Sequence, residues 1–268
     1  MDKPRFERQD DLSAILGRDC YRLVHLDYSR VAADLAALKG PSFVEARLWG
    51  NDAFNARVLM GLDFRKICLQ SVLVAQSLPE GGRTPRLCPQ PLTVLELETT
   101  LLARHARNFH CNSLEFDTGV SEAAWSAFNR TRLEQSLASP EALKFVRDDG
   151  LVSFKPEGGK VVIDLLSVLT HRKGTGTALM RRVFDWSLAN GAGSVEVMTE
   201  CENIPAWLFY QKCGFRLTGN IAVFHRHAGD PKQAALALAG RGDFRPKQGS
   251  RFVPETEKRA GLFSTQRR

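Results

Sequence analysis

The chain contains no apolar run long enough to span a membrane. Its polar start, Met-Asp-Lys-Pro-Arg-Phe-Glu-Arg, lacks a secretion pattern. The six cysteines, Cys20, Cys68, Cys88, Cys111, Cys201 and Cys213, form no Cys-x-x-Cys pair and show no Cys/His zinc spacing. Thiols scattered in this way fit ordinary packing in a reducing cytoplasm rather than a disulfide framework. His225 and His227 stand two apart with no third ligand near them in sequence, so no metal is expected. Nor does a basic stripe of the kind that grips nucleic acid cross the chain. The formal net charge is +7, yet residues 226–268 alone hold ten Lys and Arg against four Asp and Glu. Those residues are also rich in Gly, Pro and Gln and read as a poorly ordered tail, apart from a helical turn or two over 234–239. Such a tail is either a solvated extension or an attachment to an anionic partner or membrane surface.

What the chain does have is concentrated in Val168 to Gly176, Val-Leu-Thr-His-Arg-Lys-Gly-Thr-Gly. An apolar strand, 161–169, runs into a basic, double-glycine turn, and a helical pattern opens at once. Backbone N–H groups at such a turn, with the partial positive charge of a helix N-terminus, suit a pyrophosphate. The glycines let the backbone come close, and Arg172 and Lys173 can add charge-assisted contacts. Two better-known cradles are excluded: no lysine follows Gly176 as a P-loop needs, and Leu179 stands where the dinucleotide fingerprint needs a third glycine. By itself the turn is also compatible with a plain strand–turn–helix connection.

The next forty residues add context. Leu179, Val183 and Trp186 recur at helical spacing, and Asn190-Gly191 is a C-terminal signal. A strand is expected over 194–199. Then Asn203-Ile-Pro-Ala-Trp-Leu-Phe-Tyr-Gln-Lys-Cys-Gly-Phe215 gives a helix with Asn203 as N-cap, Pro205 in its first turn and Gly214 as its stop. A final apolar stretch runs from Phe215 to Phe224.

This order, with Arg-Lys-Gly-Thr-Gly and Asn-x-x-Ala-x-x-x-Tyr-x-x-x-Gly-Phe at their separation, resembles the core of the GCN5-related N-acetyltransferase (GNAT) superfamily over about 161–224. The resemblance implies an α/β fold with a mixed sheet, flanked by helices and splayed near its centre, and acetyl-coenzyme A as cosubstrate. The pyrophosphate would sit on Arg172, Lys173, Gly174, Thr175, Gly176 and Thr177, and the pantetheine arm would pair with backbone from Leu166 to Val168. Acetyl transfer then needs an oxyanion donor, a backbone N–H near Val168, and a proton for the departing sulfur, by resemblance from Tyr210. Asn203 is read both as the helix cap and as a contact to the pantetheine region. His171 departs from the Gln or Arg usual at the start of this turn and implies weakened binding.

Four prolines and Gly81-Gly82 mark 79–91 as a linker. It separates an N-terminal lobe, 1–78, from a catalytic domain, 92–227, with the basic tail from 228 onward. The lobe echoes the later motif: Val44-Glu45 parallels Val195-Glu196, and a helix over 52–60 leads to Leu-Asp63-Phe64, with Leu59 at the Tyr210 position and no glycine turn. A degenerate half-GNAT repeat and a chance strand–helix–strand similarity both account for it. With Asn108-Phe-His-Cys-Asn-Ser-Leu-Glu-Phe-Asp117 before a Trp-bearing helix, residues 10–227 are similar to the TDP-fucosamine acetyltransferase family. That likeness implies a nucleotide-linked 4-amino sugar as acceptor. Glu115 stands where that family often has arginine, and favours instead a cationic amine. A primary amine of a small molecule is therefore the expected partner, with a peptide amine or a non-catalytic acyl-coenzyme A binding module as rivals. Glu45, Glu115 and Asp117 are base candidates by charge alone, and each is read first as a solvated or structural acid.

Overall fold

A computed structural model describes residues 5–76, 99–147 and 149–229. The expected linker, 79–91, and residues 230–268 of the tail lie outside the described residues. The chain packs as two compact units, and it enters each more than once. Of the described residues, unit 1 holds 5–70, 116–121 and 219–229; unit 2 holds 71–76, 99–115, 122–147 and 149–218.

In unit 1, β1 (Phe6–Arg8) pairs antiparallel with β2 (Asp19–Leu23), β2 pairs parallel with β3 (Ser42–Trp49), and β3 pairs antiparallel with β9 (Arg216–Ala228). Helices α1 (Asp10–Leu16), α2 (Val31–Ala37) and α3 (Ala53–Gly61) connect these strands and lead into β4 (Arg65–Ala75). Alternation along β3 decides the two faces. Val44, Ala46 and Leu48 join Leu59, Phe64, Ala222 and Phe224 in one buried cluster. Phe43, Glu45 and Arg47 take the opposite face.

The echo of the later motif is carried by matching geometry. Asp52 caps α3 by accepting from Asn55 N at 3.0 Å, as Asn203 caps α8 (Ile204–Lys212) by accepting from Ala206 N at 3.3 Å. Both helices end in the same turn. Asp63 at φ 66 and Gly214 at φ 90 are left-handed, and Phe64 N→Leu59 O and Phe215 N→Tyr210 O are each 3.0 Å.

The second face of β3 carries an ionic cluster. Asp117, in the 116–121 segment, accepts from His225 Nδ1 at 2.8 Å and His227 Nε2 at 2.7 Å. Arg18 Nη2 donates to His227 Nδ1 at 2.8 Å, since a guanidinium has no acceptor. Glu45 pairs with Arg22 and Arg47 and lies 3.9 Å from His225 Nε2. Of the solvated and structural readings of Glu45 and Asp117, the structure takes the structural one: both are buried, Glu45 pairs with Arg22 and Arg47, and Asp117 accepts from two histidines and from Gly119 N. Burial works against the charged form of His225, but Asp117 and Glu45 outweigh it and raise its pKa. A histidine with a raised folded-state pKa adds stability that is full below its ordinary value and is lost as pH rises through the folded value. Urea unfolding between pH 6 and pH 9 is therefore expected to show a loss of stability with rising pH, and a His225→Gln variant should flatten that slope.

Unit 2 contains the end of β4, α4 (Thr99–Asn108), the single turn α5 (Ser113–Phe116, whose last residue falls in unit 1), α6 (Glu122–Ala138), β5 (Leu143–Arg147), β6 (Gly150–Glu157), β7 (Lys160–Val168), α7 (Thr175–Ala189), β8 (Ser194–Glu200) and α8. β5, β6 and β7 pair antiparallel in turn, and β7 pairs parallel with β8. This is the mixed sheet flanked by helices that the sequence implied. One core lies with α7 and α8, where Val161, Ile163, Leu179, Val183, Val195, Val197 and Phe215 are buried. A second lies with α4 and α6 around Leu102, Ala106, Leu133, Leu137, Leu151 and Leu165. α7 sits so close to β6 that a Cβ on Gly150 would meet Thr175 Cγ2 at 2.5 Å and Leu179 Cδ1 at 3.0 Å. Gly150→Ala is expected to destabilise unit 2 by about 1–3 kcal/mol in urea titrations, because packed side chains must move.

Candidate functional site

The site begins where two strands part. β7 and β8 are in register from Lys160↔Ser194 to Ile163↔Val197, and no pair continues beyond that point. On its other edge β7 stays paired with β6 through Val168, with a register shift in which Ser153 opposes Leu165 and Phe154 opposes Ile163. Asp164 is thus the extra residue of a β-bulge. Its carboxylate accepts from Ser136 Oγ at 2.5 Å, and its carbonyl accepts from Arg132 Nη2 at 3.1 Å. The bulge also changes which face each side chain meets. Val161 and Ile163 enter the α7/α8 core, Leu165 enters the α4/α6 core, and Leu166 and Val168 return to the first.

Backbone direction follows from one hydrogen bond. Leu169 N donates to Asp149 O at 3.0 Å, so Leu169 directs its polar groups to the β6 side. Neighbouring residues of a strand point opposite ways. Val168 and Leu166 therefore turn their N–H and C=O toward the edge that β8 has left.

The turn that follows is built for close approach. Arg172 (φ 63) and Gly174 (φ 83) are both left-handed, and Gly174 is the N-cap of α7 with no side-chain cap. The first-turn amides of this fifteen-residue helix have no side chain to satisfy them. His171, Arg172, Lys173, Gly174 and Thr177 are exposed. Thr175 differs from the rest: its side chain is buried against Gly150, which leaves its backbone N–H as its offering to a ligand. Gly176 lets α7 lie against α8 and β7, since a Cβ there would meet Phe209 at 3.2 Å and Val168 at 3.6 Å.

Asn203 spends its side-chain oxygen on the α8 cap, Ala206 N. Tyr210 is nearly enclosed, with Phe209 and Phe215 both edge-on at 5.4 Å between ring centroids. Burial, with a smaller effect from Cys213, raises its pKa well above the usual tyrosine range. The phenol therefore keeps its proton.

Three residues that sequence reasoning gave no role complete the β7 edge. His105, on α4, is buried, and its Nδ1 is hydrogen-bonded to Ser167 Oγ at 2.8 Å. Burial, helped by the charge of Arg104, lowers its pKa to about 4. Asn108 Nδ2 donates to Ser167 Oγ at 2.9 Å and to Val168 O at 3.2 Å. The available signal was a histidine inside the apolar stripe of α4, between Leu102 and Ala106 at helical spacing. Glu115 accepts from Cys111 N at 2.6 Å and lies 3.5 Å from His110. Burial raises the Cys111 thiol pKa, and the charges of Glu115, Glu200 and Glu202 raise it further. Among the described residues no group of three or more His, Cys, Asp and Glu is arranged to hold a metal ion, and no helix is long and apolar enough to cross a membrane.

The splay, the bulge and the uncapped turn lie within one contiguous stretch of unit 2. Residues 142–215 match the Acetyltransferase (GNAT) family. No curated protein matches the chain. Solved structures similar to it include a GCN5-related N-acetyltransferase from Sphaerobacter thermophilus, at 15% identity and TM-score 0.46 over 73% of this chain. This chain spans 62% of that one, less than two thirds of its length. A tandem GNAT protein from the clavulanic acid biosynthesis pathway is 11% identical, with TM-score 0.49 over 79% of this chain and 76% of that one. A GCN5-related N-acetyltransferase from Kribbella flavida is 13% identical, with TM-score 0.45 over 79% of this chain and 82% of that one.

In the stretch that matches this family, Arg172 holds a left-handed conformation that costs a non-glycine residue about 1 kcal/mol. Because the side chain is exposed, Arg172→Gly is expected to leave the melting temperature unchanged or slightly higher in calorimetry. A fall of several degrees would mean that the arginine packs against the turn.

Proposed function

We propose that this protein is an N-acetyltransferase that moves acetyl from acetyl-coenzyme A to a primary amine of a small molecule. The observation that carries this reading is the unpaired β7 edge, with the Leu166 and Val168 backbone facing it, running directly into an uncapped helix N-terminus. An extended amide-bearing arm can add to such an edge as a strand would, while its diphosphate meets the amides of 174–177 and the charges of Arg172 and Lys173. In this assignment Asn203 holds the helix that presents Tyr210, and it reaches the cofactor only through its N–H or the second lone pair of its oxygen. Residues 1–78 are assigned as the non-catalytic lobe and 92–227 as the catalytic domain, the remainder being linker and tail.

The reaction requires no covalent enzyme intermediate. The neutral amine attacks the thioester carbon, the N–H of Val168 or its neighbour takes the oxyanion, and the C–S bond breaks as the intermediate collapses. Tyr210 gives its proton to the leaving sulfur and is reprotonated from solvent, while the amine nitrogen loses its extra proton. Burial keeps the Tyr210 phenol protonated throughout the working range.

Two acceptor classes follow from the sequence, a nucleotide-linked 4-amino sugar and a cationic amine. Glu115, standing where the sugar-nucleotide family often has arginine, favours the cationic amine, since an acid there would repel an anionic nucleotide. Tyr210→Phe is expected to lower kcat by about a hundredfold or more while leaving acetyl-coenzyme A affinity intact. Steady-state release of coenzyme A together with calorimetric binding checks this. Wild-type turnover should show no alkaline limb below about pH 10 from this residue. A Phe variant with normal kcat would remove Tyr210 from the mechanism.

A further inference from the structure

We propose that Asn108 binds the acceptor amine, with its side-chain oxygen receiving an N–H of the incoming nitrogen beside Val168. This rests on the acetyl-transfer reading above and deepens it. The side-chain amide of Asn108 has two hydrogens, and both are committed. One goes to Ser167 Oγ and the other to the Val168 carbonyl. A carbonyl only accepts, so the bond to Val168 fixes which end of the amide is nitrogen. The oxygen Oδ1 is then left over, an acceptor with no partner among the described residues, on a side chain only partly buried.

Its position follows from strand geometry. The Val168 carbonyl is directed away from β6, because Leu169 N donates to Asp149 O on the β6 side. Asn108 meets that carbonyl at 3.2 Å, so its side chain stands at the edge where β7 and β8 have separated. The Val168 carbonyl is thereby occupied, whereas the Val168 N–H stays open to the same edge. A donor for the oxyanion and an acceptor for the nucleophile are thus carried on adjoining groups.

The support behind Asn108 is rigid. Ser167 Oγ, which anchors one of its hydrogens, is held from the other side by His105 Nδ1 at 2.8 Å. Both Ser167 and His105 are buried. His105 stays neutral above its lowered pKa of about 4, so the support keeps one charge state across the working range. An uncharged anchor suits an amine that must lose its proton before it attacks, since a full carboxylate would hold the ammonium form instead.

The test uses the full chain, acetyl-coenzyme A, and a panel of spermidine, a lysine-bearing peptide and a nucleotide-linked 4-amino sugar. For the amine that wild type acetylates fastest, Asn108→Ala is expected to raise KM by about ten- to a hundredfold, the loss of one hydrogen bond to a charged or polar partner. The acetyl-coenzyme A dissociation constant should stay within about threefold of wild type. An Ala variant with unchanged amine KM overturns the assignment, and so does one that loses cofactor and amine affinity together, which is what a purely structural clamp predicts. If Asn108→Ala does not fold, Asn108→Ser decides, since its shorter side chain cannot carry an acceptor to the same place: an unchanged amine KM overturns the proposal. Wild type that binds acetyl-coenzyme A but acetylates none of the panel overturns the enzyme reading, a failure distinct from loss of the Asn108 effect alone.

Discussion

Backbone polar groups cannot be left facing nothing, and a sheet that splits in its middle creates several at once. In this protein β7 and β8 pair for four residues and then part at Ile163 and Val197, while β7 remains joined to β6 as far as Val168. That one-sided release is possible because the bulge at Asp164 inserts a residue on β7 and lets it bend without breaking the β6 ladder. The cost of the released edge is partly offset inside the chain: Asn108 takes the Val168 carbonyl, and Arg132 takes that of Asp164. What stays open is the strip of N–H and C=O groups that we assign to a cosubstrate arm.

The bulge also organises packing. Without it, every second residue of β7 would face one core. With it, Ile163 and Leu165 serve different helix layers, α7 and α8 for the first, α4 and α6 for the second. α4 therefore contributes to the released edge as well as to a core. The neutral, buried His105 and its bond to Ser167 tie that helix to the strand at the place where the strand has lost its neighbour.

Unit 1 contains a strand–helix–strand unit whose helix is capped and ended as α8 is. Asp52 and Asn203 cap equivalent helices, Asp63 and Gly214 end them in the same left-handed turn, and Phe64 and Phe215 follow. Two features differ. Leu59 stands in place of Tyr210, and no glycine turn precedes α2. On the outer face of its sheet this unit instead buries Glu45, Asp117, His225 and His227 in a bonded network. Charges withdrawn from water must be paired, and each carboxylate here meets at least two cationic or ring-nitrogen donors.

Much of unit 2 was legible in the sequence, because its signals are local. Apolar alternation marked β7 and β8, Gly174 and Gly214 marked turns that need positive φ, and Asn203 marked the start of α8. Local chemistry also marked the double-glycine turn ahead of α7 and a tyrosine on α8, whereas the enclosure of Tyr210 came only with the fold. The tertiary structure alone decided where β7 and β8 part, since strand pairing is a relation between residues over thirty positions apart. It likewise decided that Asn108 and His105 meet Ser167 and Val168, about sixty residues downstream. It turned Asp117 from a candidate base into the shared partner of two histidines. Sequence by itself determined what each segment prefers to be; only folding determined which polar groups share a neighbour, because hydrogen bonds between distant segments leave no periodicity in either one.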